Sequence, residues 1–240
     1  MRTTFLILAA LTLAGCNTEA TTSSPPTETN TTTDTTTTDP TTPTTPEPTA
    51  QSVLAGMTPV SFATVQDGLD AATSLTTQID DAILASGISQ KLDLPTTGVV
   101  GYEGFLRISE LNNETNSASG QLLLAVDFGA AAGNVVAGLG FNFYDAAFDP
   151  IEGQIMINNG FFTPITVQLV DGTILDGEGV QASYAGELES AANVTATLNG
   201  TVVFGFANGN ELINGSLYGT ASGEGFWYDT TGGLIAQKKQ

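Results

Sequence analysis

The chain of 240 residues contains no histidine and a single cysteine, Cys16. Those two counts remove most nucleophilic and metal chemistry. Ser-His-Asp and Cys-His relays need an imidazole to carry the proton, and His-based zinc sites and His-ligated haem need its nitrogen. What is left is carboxylate chemistry. Asp145, Asp149 and Glu152 lie close in sequence, as do Asp171, Asp176 and Glu178. Paired carboxylates can serve as acid and base in glycoside hydrolysis, and the oxygens of the second set could hold a Ca2+ ion. The plainer reading of Asp171-Gly172-Thr173-Ile174-Leu175-Asp176-Gly177 is two Asp-Gly turns, a common hairpin signal. No catalytic residue, metal site, cofactor or enzymatic activity is therefore expected. The remaining constellation is aromatic: Phe226-Trp227-Tyr228 is the densest such cluster. Aromatics that share a loop anchor partners, and they also close off the ends of cores. These three are the expected ligand-contacting residues.

The lone cysteine sits in a distinct context. Met1-Arg2 supplies one positive charge, and Phe5 to Leu13 form an apolar stretch. That stretch is far shorter than the roughly 20 residues needed to span a bilayer. A short charged start before a short apolar run is the pattern of a signal peptide. Leu13-Ala14-Gly15-Cys16 then closely resembles the lipobox of bacterial lipoproteins, in which a small residue precedes an obligatory Cys. The resemblance implies cleavage after residue 15 and acylation of Cys16, hence a covalent lipid anchor to a membrane. Burial of acyl chains contributes about 0.8 kcal/mol per methylene, so two or three chains anchor stably. With no second Cys, no intramolecular disulfide can form. The fold must rest on packing and backbone hydrogen bonds.

Residues 16–50 read as a tether. Of residues 17–50, 17 are Thr and six are Pro, and almost none is apolar. Nothing there can offset the entropy of ordering the chain, so an extended or disordered spacer is expected. Its reach is about 30 Å as a coil and about 100 Å if fully polyproline-like. Without residues 1–15, four Lys/Arg stand against 25 Asp/Glu, a net charge of 4 − 25 = −21. Binding to DNA or RNA needs clustered cations, and so does docking on anionic lipid. Neither is expected of this chain.

Two kinds of element must position the remaining residues. Within 51–93, Val65, Leu69, Ala72, Leu75, Ile79, Ala82 and Ile83 recur at spacings of three and four, which predicts an amphipathic helix over 64–85. Thr64 or Ser61 can cap its start and Gly87 can end it. From Gly98 on, short alternating runs are broken by Gly, Asn and Asp, the signature of antiparallel sheet. Strands are expected near 98–108, 119–128, 134–144, 151–159, 180–189, 195–206, 211–220 and 232–238, with a further short one around Ile165–Val170. Leu122, Leu124, Val126 and Phe128 share one face; so do Val135, Ala137, Leu139, Phe141 and Phe143, and Val180, Ala182, Tyr184 and Leu188. Eight such strands can close into a barrel filled by its own side chains. The fold class is thus all-β: one antiparallel eight-stranded barrel over 94–240, behind a helical segment 51–93. Residues 94–240 are expected to fold alone unless the helix is needed to cover them. Alternation does not say whether the apolar face points in or out, so a membrane-spanning barrel is a further reading. The polar Lys238-Lys239-Gln240 end argues against it.

Several segments of this region resemble the transferrin-binding protein B-like β-barrel domain. Leu94-Pro95-Thr96-Thr97-Gly98 leading into Tyr102-Glu103-Gly104-Phe105 looks like that family's opening strand, and Gly120 through Val126-Asp127-Phe128 like its second. Asn214-Gly215-Ser216-Leu217-Tyr218-Gly219 is similar to its late Gly-x-Phe-Tyr-Gly segment, with Leu217 in the Phe position. Gly232-Gly233-Leu234-Ile235-Ala236-Gln237-Lys238-Lys239 resembles its closing strand. The resemblance covers about residues 94–240. It implies a monomeric lipoprotein of the outer membrane, displayed at the cell surface, that captures a protein or solute for nutrient or metal acquisition. A structural envelope lipoprotein without a small ligand is the alternative.

One outcome follows from the anchor chemistry. Cys16→Ser should leave an uncleaved or soluble precursor, because the anchor chemistry needs the thiol. Metabolic labelling with palmitate is expected to vanish in that variant; label that survives would refute the anchor.

Overall fold

A computed structural model describes residues 47–110, 113–169 and 171–239, with the backbone alone for 113–115. The expected signal peptide, Cys16 and the expected tether up to residue 46 lie outside the described residues. The described chain is one closed antiparallel barrel whose strands follow one another in chain order. They are β1 (Val99–Glu110), β2 (Asn113–Asp127), β3 (Val136–Tyr144), β4 (Pro150–Gln168), β5 (Ile174–Glu189), β6 (Thr195–Ala207), β7 (Leu212–Gly223) and β8 (Phe226–Lys238). β1 pairs with β8 from Tyr102↔Lys238 to Glu110↔Thr230, which closes the ring.

Alternation fills this ring. Tyr102, Leu106, Leu122, Leu124, Phe143, Ile157, Tyr184, Phe204, Phe206 and Leu217 all point inward and are almost wholly buried in one cluster. Both interior phenols have partners: the Tyr102 hydroxyl donates to the Asn210 carbonyl at 2.9 Å, and Tyr184 shares a hydrogen bond with Thr230 at 3.2 Å. Burial pushes the pKa of each phenol up. Outward positions on β5–β8 carry Gln181, Ser183, Asn199, Thr201, Thr220 and Asp229. A bilayer-spanning barrel turns its apolar band outward; here the apolar stripe faces inward. Among the described residues no helix is long and apolar enough to cross a membrane.

The outer wall is covered in two places by helices, α1 (Ala50–Gly56) and α2 (Val65–Ser86), where the sequence predicts only the second. Seven residues are too few for a period to show. Thr49 opens α1 with a reciprocal pair of hydrogen bonds to Ser52, and Thr64 opens α2 in the same way with Asp67. Gly87 closes α2 at φ 74°. α1 seats Ala50 and Leu54 on Leu123, Ala125 and Ala137. α2 buries Leu75, Ile79 and Ile83 against Val203, Ala207, Phe105 and Ile235. Burial of a large aliphatic side chain is worth about 1.5–3 kcal/mol. The connection between the helices is fastened to the wall: Lys239 Nζ donates to the Thr58 carbonyl at 2.8 Å, and Gln121 Nε2 to the Val60 carbonyl at 2.7 Å. Pro48–Gln240 thus form one compact unit.

α1 explains a departure on β3. Val135, Ala137, Leu139, Phe141 and Phe143 do not share one face. Ala137, Leu139 and Phe141 look outward onto the α1 side, while Val135 and Phe143 belong to the interior. An irregularity between Gly140 and Phe143, with Asn142 at φ 52°, exchanges the faces. A second one, between Asn158 and Phe161, joins the expected 151–159 and 165–170 strands into the single long β4.

The helices conceal apolar wall that the ring alone would expose. Residues 47–240 are expected to remain monodisperse, whereas residues 94–240 should bind a hydrophobic dye and scatter light. A shorter fragment that stays dye-silent and monomeric would show that the helices are dispensable.

Candidate functional site

The up-and-down topology sorts the loops onto two ends. One end, the rim, carries the β3–β4, β5–β6 and β7–β8 hairpins at residues 145–149, 190–194 and 224–225. The other, the base, carries the longer connections 128–135, 169–173 and 208–211, the entry to β1 and the exit from β8.

Two of these hairpins are fixed by local hydrogen bonds, and each presents one large apolar side chain to solvent. The Asp145 carboxylate accepts the backbone N–H of Ala147 at 2.8 Å and of Asp149 at 2.9 Å. That turn holds Phe148 at φ 70° and 53 % exposed. A bulky residue in the left-handed region is uncommon and costs energy. In the next hairpin the Val194 N–H reaches the Ser190 hydroxyl at 3.3 Å, Asn193 takes φ 58°, and Val194 stands 51 % exposed. The third turns over Glu224-Gly225 with Gly225 at φ 82°, which favours glycine.

The aromatic triplet follows directly on that turn, and it is strand, not loop. β8 starts at Phe226 instead of residue 232. Alternation therefore splits the triplet. Phe226 and Tyr228 lie on one side, stacked with centroids 5.4 Å apart, and Tyr228 packs against the interior cluster. Burial, then the charge of Glu110, pushes the Tyr228 hydroxyl pKa up. Trp227, paired in register with Ser222, faces outward and is 65 % exposed. So Phe226 and Tyr228 close the barrel mouth and Trp227 is left to solvent. Phe148 and Val194, which join it at the rim, carry no sequence signal: each is a single apolar residue inside a polar loop.

The carboxylate sets separate as well. Asp145, Asp149 and Glu152 lie at the rim, where Asp145 is engaged by its own turn. Asp171, Asp176 and Glu178 belong to the base half. Asp171 accepts the Thr173 N–H at 2.9 Å, and such hydrogen bonds hold its carboxyl below the usual range. Asp176 accepts from the Thr166 hydroxyl at 2.8 Å, and Glu178 is buried. Among the described residues no group of three or more His, Cys, Asp or Glu is arranged to hold a metal ion.

Two open clefts lie on the outer wall, lined by none of these residues. One of about 250 Å3 sits between α2 and the wall beside Phe62, Phe105 and Gln237; another of about 500 Å3 runs along α1 beside Met57, Leu139 and Met156. No family model, curated protein or solved structure matches the chain.

Because Trp227 is the chain's one tryptophan, its environment can be read directly. Its fluorescence is expected to be quenched by acrylamide nearly as strongly as that of free tryptophan. Trp227→Ala should change stability by no more than about 0.5 kcal/mol, as surface substitutions do. Tyr228→Ala, which opens the barrel mouth, should cost about 2–4 kcal/mol. Melting curves that reversed this order would return Trp227 to the core.

Proposed function

We propose that this chain is a non-enzymatic bacterial lipoprotein of the transferrin-binding protein B-like type. In this reading it is acylated at Cys16, held off the outer membrane by its Thr/Pro tether, and captures a ligand at the cell surface with its rim. The observation that carries the reading is the rim itself: Phe148, Val194 and Trp227 stand exposed on three hairpins at one end of the barrel. Rigid scaffolds carry binding residues on such loops, and aromatic anchors dominate interface energetics. The interior is occupied by the protein's own side chains, which supports a protein ligand contacted from outside over a small solute held within. A nutrient or metal would then be acquired through the captured protein.

The reading is tested on whole cells. A photoreactive analogue placed at position 227 of the full-length lipoprotein is expected to give a discrete surface adduct with another protein. Phe148→Ser should reduce that adduct at unchanged surface display, since loss of one anchor weakens an interface by about 1 kcal/mol or more. If no adduct forms, or if it is indifferent to residue 148, the chain is a structural envelope component.

A further inference from the structure

The exposed rim anchors sit in a field of one sign. Glu110, Asp145, Asp149, Glu152, Glu187, Glu189, Glu224 and Asp229 all lie in the rim hairpins or the strand ends beside them. Among the described residues no Lys or Arg joins them. Along the strands the nearest is Arg107, in register with Gly233, four residues further down β8 than Asp229, or about 13 Å. The cations at the exit from β8 are committed: Lys238 pairs with Glu211 at 2.8 Å, and Lys239 with Glu103 and the Thr58 carbonyl. Lys91 is in the α2–β1 connection. On the β8 side of this field Trp227 stands 65 % exposed. Glu224 lies in the turn just before it, and Asp229 on the same outward face of β8 two residues on.

An indole face and carboxylates share one preferred guest, a guanidinium or ammonium group. We propose that the rim docks a basic protein surface, with an Arg or Lys side chain of the partner lying on Trp227 between Glu224 and Asp229. Phe148 and Val194, on hairpins further round the rim, contact other parts of the same partner surface. The proposal rests on the rim being the capture surface and adds the chemistry of what it captures. The acidic field speeds encounter with a basic partner and repels nucleic acid and anionic membrane.

The test uses the detergent-solubilised lipoprotein and a fluorescein-labelled octa-arginine peptide, read by anisotropy and by the emission of Trp227. Binding should perturb that emission and weaken about tenfold between low and physiological salt. Trp227→Ala should weaken it about fivefold, and the double variant Glu224→Gln/Asp229→Asn by at least as much. Asp80→Asn/Asp81→Asn removes the same charge from α2 and should leave affinity within about twofold. The proposal is overturned if the α2 variant weakens binding as much as the rim variant, if Trp227 emission ignores the peptide, or if Trp227→Ala binds like the wild type. Its failure is separable from that of the surface-capture reading. A cellular adduct at position 227 that is indifferent to salt and to Glu224 and Asp229 would sink the basic-partner proposal alone. Peptide binding at the rim with no cellular adduct would sink the capture reading and leave the cation site standing.

Discussion

An eight-stranded ring encloses little more than the volume of its own inward side chains, and every other feature here adjusts to that limit. Bulk on one strand is matched by the missing side chain on the next. Leu124 and Ile157 occupy the space where a Cβ on Gly138 would be, and Leu106 and Phe143 the space beside Gly140. Across the β1–β8 seam the Ile235 carbonyl approaches Gly104 so closely that any larger residue would collide with backbone. Tyr102 and Tyr184 are admitted because each hydroxyl finds a partner, which avoids the cost of a buried unsatisfied group. Since the interior is full, the accessory helices and the clefts are built on the outside.

The helices answer a second consequence of the same limit. Wall residues such as Leu123, Val203 and Ile235 are apolar although they point away from the ring. α1 and α2 therefore extend the core outward as two satellite layers. Lys239 and Gln121 hold the connection between the helices at fixed points, because carbonyls of an irregular segment accept what side chains on the wall can donate. The scarce cations thus serve as fasteners near the exit from the barrel, and the opposite rim is left uniformly acidic.

How far the architecture was legible in the sequence depends on how many layers a strand touches. β5 touches one, so Val180, Ala182, Tyr184 and Leu188 alternate cleanly and all point inward. β3 touches two: Ala137, Leu139 and Phe141 serve α1, Val136 and Phe143 the interior, and an unpatterned change of face at Asn142 separates them. Alternation cannot report a bulge, and for that reason β4 also read as two pieces. The aromatic triplet stood out by composition, but its division into two mouth residues and one exposed indole depends on β8 starting six residues before its Gly-Gly pair. Phe148 and Val194, 46 residues apart, gain meaning only from topology, which brings their hairpins to one rim.

The β1–β8 seam also governs when the molecule can exist. Tyr102 pairs with Lys238, 136 positions further along the chain. Until that last strand is in place β1 lacks one neighbour, and the interior stays open along its whole length. Contacts of such long range form late and slowly, because the entropy of loop closure precedes any reward. A nascent or partly delivered chain therefore has no subset of strands that completes the core. Closure is withheld until β8 is made, so synthesis in chain order leaves the core incomplete until that strand emerges.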